Sequence, residues 1–292
     1  MKLHLSSYAK LNLYLEILGK QSNGYHRLRT VFERIDLCDK IILNSRQDKK
    51  IRILTHSTDI PKDDSNIAYR AALQLQRDMR VNKGVDIKII KRIPVASGLG
   101  GGSSNAASVI IGLNKLWGLN LSRDKLIRLG KKIGADVPFF IFNCPFAEGR
   151  GRGDLIMPLK GLSGVRLWHI LIVPKISVST AFIYKKWDEV KHLIRLTRTD
   201  YNVNILTLAL RKRDYASVSR ILFNSLQDIT AKLYPEIEKI KKKLTQAGLK
   251  SILMSGSGPA VFGICSSRKE ARGLYSELKG NRKWQVFLTR TI

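Results

Sequence analysis

Pro94, Val95, Ala96, Ser97, Gly98, Leu99, Gly100, Gly101, Gly102, Ser103, Ser104 and Asn105 read P-V-A-S-G-L-G-G-G-S-S-N, a glycine-dense stretch without a lysine. Its flanks decide its meaning. Upstream, Val85, Ile87 and Ile89 alternate with Asp86 and Lys88, the period-two pattern of a half-buried strand. Downstream, Ala106, Ile110, Leu113 and Trp117 recur at helical spacing. A strand, a glycine turn and a helix N-terminus aim unsatisfied backbone N–H groups and the positive end of a helix dipole at one point, where an anion is stabilised. Glycines let the backbone approach phosphate oxygens, and Ser103 and Ser104 suit the helix start as caps or as hydroxyls facing a phosphate-bound Mg²⁺. Two other phosphate loops are excluded. Walker A ends in G-K-[ST], and G-x-G-x-x-G fails because the third residue after Gly100 is Ser103. The expectation is a polyphosphate site, against the plainer alternative of a flexible Gly/Ser linker.

A chain of 292 residues suggests two cores, and a glycine-rich stretch around 149–153 places the boundary near Asp154, giving units 1–154 and 155–292. No run of eighteen apolar residues occurs; Val137 to Phe142 and Trp168 to Val173 are apolar runs of strand length. The opening M-K-L-H-L-S-S-Y-A-K lacks a continuous apolar core, so a cytoplasmic protein is expected. Cys38, Cys144 and Cys265 are far apart and include no C-x-x-C pair, which predicts reduced thiols and neither a disulfide framework nor a zinc site. The formal net charge of +29 would suit a nucleic-acid binder, but the basic residues are spread along the chain with only modest clusters such as 239–243. Attraction for anionic small molecules is the reading preferred to nucleic acid.

Further along, Leu11, Leu13 and Leu15 alternate as a strand, mixed strands continue to Leu54, and a helix is expected near Ile67 to Met79. A helix from Ser122 to Ile133 stops at Gly134. In the second half, Tyr234, Ile237, Ile240 and Leu244 stripe a helix ended by Gly248. Strands at 251–254 and 260–265, a helix at 268–278 and a last strand at 284–288 follow, an α+β pattern with helices on one face of a sheet. Asp136, in G-A-D-V-P-F-F, and Lys10, in A-K-L-N-L, are isolated charges in apolar surroundings. Each has a plain reading, a helix N-cap and a strand-edge lysine.

Taken in order, A-K-L-N-L-Y-L at 9–15, G-Y-H at 24–26, the glycine loop, G-A-D-V-P-F-F at 134–140 and S-G-S-G-P at 255–259 resemble the GHMP kinase superfamily over nearly the whole chain. The resemblance implies a two-domain fold, with an N-terminal α/β ATP-binding domain, a C-terminal ferredoxin-like α+β domain and the active site in the cleft between them. It implies ATP with Mg²⁺ as phosphoryl donor and, within the superfamily, a cytidine diphosphate alcohol of the non-mevalonate isoprenoid route as acceptor. On that reading Pro94 to Ser104 wrap the ATP phosphates, Ser255, Gly256, Ser257 and Gly258 close over them, and Ser104 stands near the metal. Asp136 takes the proton of a tertiary hydroxyl, with Lys10 as its electrostatic partner. Tyr25 and Tyr184 stack on the cytosine, His26 bonds its edge, and Asn12 contacts the substrate. The family often has an acidic residue where this chain has Asn23 and a glutamate where it has Gln227. Left open are a monomer or a homodimer, a sister kinase acting on another alcohol, and a basic nucleic-acid-binding protein that keeps the fold.

Overall fold

The computed structural model describes residues 2–22, 24–191 and 203–292, so Asn23 lies outside the described residues. Two long strands open the chain, β1 (Lys2–Lys20) and β2 (His26–Arg46), paired antiparallel along their length. Their register slips between Tyr8 and Ala9, between Asn12 and Tyr14, and between Ile17 and Gly19. Such bulges bend a strand and re-aim its side chains. Leu11, Leu13, Tyr14 and Leu15 are consequently all buried.

The first half continues with β3 (Ile51–Leu54), α1 (Ile67–Asp78), β4 (Gly84–Ile90), α2 (Gly101–Leu116), α3 (Arg123–Ile133), α4 (Val137–Phe142), β5 (Phe146–Gly151) and β6 (Leu155–Pro158). The run 137–142, of strand length, is thus a short helix with Pro138 in its first turn, where a missing N–H costs nothing. Ser122 caps α3 by accepting from Lys125 N, and the helix stops at Gly134 as expected. Asp154 sits in the turn joining β5 to β6, and the chain leaves this sheet only after Pro158.

The second half comprises β7 (Trp168–Pro174), α5 (Thr180–Val190), α6 (Val203–Lys212), α7 (Tyr215–Ile221), β8 (Phe223–Asn224), α8 (Gln227–Leu233), α9 (Glu236–Gln246), β9 (Ser251–Met254), β10 (Val261–Cys265), α10 (Arg268–Leu278) and β11 (Trp284–Arg290). A seven-stranded sheet runs β3-β4-β2-β1-β8, with β5 on β2 and β6 on β5; an antiparallel four-stranded sheet runs β11-β7-β10-β9. The short β8 returns the second half of the chain to the first sheet beside Tyr14 and Leu15.

Three apolar clusters hold these layers. Helices α1 to α4 pack on the first sheet through residues such as Leu75, Ile110 and Leu113 against Ile41, Leu43 and Ile87. On β7, Leu171 and Val173 face a cluster shared with Leu11, Leu13 and α6, while Ile170 and Ile172 face α9 and α10. Side chains of a strand alternate between faces, so a strand covered on both sides reads W-H-I-L-I-V-P without a polar alternation. The second sheet therefore carries helices on one face and docks on the first half with the other. Cys38, Cys144 and Cys265 are free thiols, and among the described residues no helix is long and apolar enough to cross a membrane.

Candidate active site

Strand β4 delivers the chain to the glycine loop, and Asp39 on β2 fixes the delivery point. Its fully buried carboxylate accepts from Lys91 Nζ at 2.6 Å, Arg92 N at 2.8 Å, Ile93 N at 2.9 Å and Asn105 Nδ2 at 2.9 Å. One charge-assisted hub thereby ties the start of the loop to the first turns of α2. Gly100, left-handed at φ 69°, is the N-cap of α2 and offers no side chain to its first N–H groups. Those donors are left open to a ligand. Gly98, at φ 79°, has no room for a Cβ, which would lie 2.1 Å from the Ser255 carbonyl oxygen.

The second half of the chain meets the loop here. Ser255 Oγ donates to Gly98 O at 3.1 Å and accepts from Asn12 N at 3.2 Å, while Ala260 N donates to Ser97 O at 3.2 Å. Asn224 Nδ2 steadies the 255–259 turn through the Met254 and Gly256 carbonyls, each at 2.8 Å. Gln227 Oε1 accepts from Met254 N at 3.0 Å, a bond that a glutamate would also accept, so this departure from the family pattern leaves the turn intact.

Lys10 and Asn12 stand two apart on β1 and so share a face. Lys10 is 4% exposed, with β2 paired on one side of it and the glycine loop on the other, which rules out the strand-edge reading. Its backbone N donates to Leu99 O at 3.0 Å, and Nζ lies 3.8 Å from Asp136 Oδ2. Asn12 Nδ2 donates to Thr30 Oγ1 at 2.8 Å, and Thr30 donates on to Tyr14 O at 2.6 Å; the amide oxygen of Asn12 is therefore turned to the Lys10 ammonium. Burial pushes the Lys10 amine below its usual range, opposed by the Asp136 charge and hydrogen bond. Asp136 stands at the N-cap position of α4 but makes no side-chain capping bond, leaving its carboxylate to Lys10 and the cavity.

Lys10, Asn12, Tyr25, His26, Asp136, Tyr184, the loop residues 94–98 and 100–103, Gly256 and Ser257 line one cavity of about 1010 Å³. That volume reaches the upper end for a single drug-sized ligand, and it suits two substrates. Five cations (Lys10, Lys20, Lys91, Arg152, Lys185) and two carboxylates (Asp136, Asp188) line it, which biases it toward anions. Four expected residues stand behind the wall. Leu99 is a core side chain. Ser104 is 1% exposed and accepts from Ser7 Oγ at 2.8 Å on the far side of α2, because the helix begins at Gly101 and turns position 104 inward. Of the two serines Ser103 is the one on the cavity, and neither caps the helix. Ser255 and Gly258 are buried, the first by its bonds to Gly98 and Asn12, the second against Met254.

At the other end, Tyr184 lies against His26 with ring centroids 4.8 Å apart, and Trp187 meets His26 edge-on at 5.6 Å. Tyr25 is 55% exposed at the rim with the Arg152 guanidinium 4.9 Å from its centroid. Burial first, then the Asp136 charge, push the Tyr184 phenol up, so its hydroxyl is a donor. Sequence reasoning missed Arg152, Asp188 and Thr180, whose Oγ1 lies 2.8 Å from Ser257 Oγ. For Asp188 a signal existed: it lies one helical turn beyond Tyr184. Among the described residues no group of three or more His, Cys, Asp or Glu side chains could hold a metal.

The family profile for the GHMP kinases N terminal domain matches residues 66–144, and that for the GHMP kinases C terminal matches residues 206–282. The chain is 41% identical over 279 residues to a 4-diphosphocytidyl-2-C-methyl-D-erythritol kinase of Alkaliphilus metalliredigens (strain QYMF), covering 95% of this chain and 92% of that one. It is 40% identical over 293 residues to the protein of the same name from Geobacillus kaustophilus (strain HTA426), covering 100% and 98%. A crystal structure of 4-(cytidine 5'-diphospho)-2C-methyl-D-erythritol kinase superposes with a TM-score of 0.79 at 28% identity, over 99% of this chain and all of that one. A homoserine kinase of Cytophaga hutchinsonii ATCC 33406 shares the fold at 18% identity and a TM-score of 0.72, over 100% of this chain and 94% of that one.

Proposed function

Because the chain belongs to the GHMP kinase family, we propose that it transfers the γ-phosphoryl group of ATP to the tertiary hydroxyl of 4-diphosphocytidyl-2-C-methyl-D-erythritol, a step toward isoprenoid precursors by the non-mevalonate route. The observation that carries the residue assignment is the Lys10–Asp136 pair, 3.8 Å apart on the wall of one cavity between the glycine loop and the His26–Tyr184 rings.

Phosphoryl transfer depends on positioning and charge stabilisation. The open N–H groups at Gly101, Gly102 and Ser103 suit the ATP phosphates, held in place by Asp39 below and Ser255 beside them. Asp136 takes the hydroxyl proton, the oxygen attacks the γ-phosphorus, and the bond from that phosphorus to the β,γ-bridging oxygen breaks to release ADP. Lys10 is the fixed cation beside the new alkoxide and the migrating phosphoryl oxygens, oriented by Asn12 and not by solvent. Mg²⁺ would sit beside the ATP phosphates with Ser103, in place of Ser104, as the nearby hydroxyl, and would supply charge neutralisation when bound. The rings of Tyr25, His26 and Tyr184 would take the cytosine.

The test is Asp136→Asn assayed for ADP release with the cytidine diphosphate alcohol. Loss of turnover with ATP binding kept is expected, and near-wild-type turnover would remove the proposed base. Inhibition by cytidine nucleotides that compete with the acceptor separates this activity from that of a family member without a base pocket.

A further inference from the structure

We propose that Asp188 is a positioning residue that fixes the tautomer of His26 and thereby makes the pocket accept cytosine and reject uracil. The inference rests on the reading of Tyr25, His26 and Tyr184 as the nucleobase pocket. His26 Nε2 lies 2.9 Å from Asp188 Oδ1. A carboxylate only accepts, so the ring carries a proton on Nε2. In the neutral ring Nδ1 then holds a lone pair, and among the described residues it has no hydrogen-bond partner.

Asp188 is poorly placed for its own helix. It sits in the last turn of α5, where the helix dipole disfavours an anion. Cations offset this: Lys20 Nζ is 2.6 Å from Oδ2 and Lys191 Nζ 3.6 Å from Oδ1. Burial would raise the Asp188 carboxyl, but the hydrogen bonds from Lys20 and His26 outweigh it and hold it down to about 2, so it stays an acceptor across the neutral range. Lys20 engages Oδ2, while Oδ1 takes the imidazole at hydrogen-bond distance with the Lys191 ammonium farther off. Tyr184, Trp187 and Asp188 follow helical spacing i, i+3, i+4, so one face of α5 supplies both rings that wall His26 and the carboxylate that orients it.

The consequence is a base filter. Cytosine presents an exocyclic amine, a donor, where uracil presents a carbonyl oxygen. A lone pair on His26 Nδ1 accepts from the first and repels the second, and a mismatched polar group left unpaired in a pocket is costly.

The experiment measures CDP and UDP binding calorimetrically to the wild type, Asp188→Asn and Asp188→Ala, together with nitrogen NMR of labelled histidine. The His26 signals are identified by their disappearance in His26→Gln. The isosteric amide can donate to Nε2 or accept from it, so it no longer dictates the tautomer, and it carries the test should the alanine variant fail to fold. The wild type is expected to prefer CDP by about 30-fold, falling to within about threefold in the variants as His26 becomes a tautomer mixture. Full CDP preference with a single tautomer in Asp188→Asn overturns the assignment to Asp188 alone. Equal wild-type affinity for CDP and UDP overturns it by another route, because the base-pocket reading itself then fails.

Discussion

Replacing Lys10 by methionine separates a catalytic cation from a structural one, because the two roles predict different changes in stability. The side chain is 4% exposed and Nζ lies 3.8 Å from Asp136. Two unit charges at that distance, at an effective dielectric of about 20, interact by about 4 kcal/mol. Phosphoryl charge developing at a similar distance would lose about that much stabilisation, or about 10³-fold in kcat. ATP affinity should change far less, since the glycine loop amides remain. Stability should hardly move. Burial lowers the Lys10 pKa, so between that value and its ordinary 10.5 the unfolded chain holds the extra proton and stability rises with pH. At neutral pH the buried cation is therefore a cost, which offsets the donor that Asn12 Oδ1 and Asp136 lose, so an apolar side chain of similar length should leave Tm within roughly 3 °C of wild type. For the wild type, kcat/KM, which reports the free enzyme, should decline on the alkaline side at a pH below 10.5. Steady-state ADP release, ATP titration and a thermal melt read all of this. Turnover within tenfold of wild type alongside a drop in Tm of several degrees would refute the reasoning.

Gly98→Ala places a Cβ 2.1 Å from the Ser255 carbonyl oxygen at a left-handed residue; the backbone cost alone is about 1–2 kcal/mol, and ATP affinity measured by calorimetry should fall sharply. Asp39→Ala leaves the Lys91 ammonium and two loop N–H groups without their acceptor, so a loss of about 3–5 kcal/mol in denaturant unfolding, with a raised KM for ATP, is expected. Acid titration should strip the Asp188 contribution below the usual carboxylate range. With its folded pKa held at about 2, the stabilisation is complete above about pH 4 and disappears as pH falls toward 2, a window that melts of wild type and Asp188→Asn should reveal.

Local patterning made the elements legible. The alternation at 85–89, the stripe from Ile237 to Leu244 and the Ser122 cap each state their own structure, because period and capping act within a few residues. The helix at 137–142 was hidden because a six-residue apolar run carries no decisive period, and only Asp136 and Pro138 mark its start. The same limit governs the site. The open helix start was readable from glycines, whereas the choice between Ser103 and Ser104 turned on one residue of helix phase. Asp39 gave no signal at all: its four partners lie 52 to 66 residues away, and a buried hub is defined by the tertiary fold. Lys10 and Asp136 meet only through the tertiary fold, which no local pattern encodes.

The bond from Ser255 to the glycine loop bears on how the protein is made. Gly98 waits for a partner 157 residues downstream, Asn12 for the same hydroxyl 243 residues downstream, and Tyr14 for a strand at Phe223. Contacts this distant in sequence form late, because the intervening chain must first be ordered. A nascent chain that has emerged only as far as Pro158 holds Lys10, Asp136 and every loop glycine, yet lacks the hydroxyl that fixes the loop and β8, the second strand beside β1. Synthesis thus yields the phosphate site only when the polypeptide is nearly finished, and fragments ending earlier expose Leu11 and Leu13 to aggregation instead of binding nucleotide.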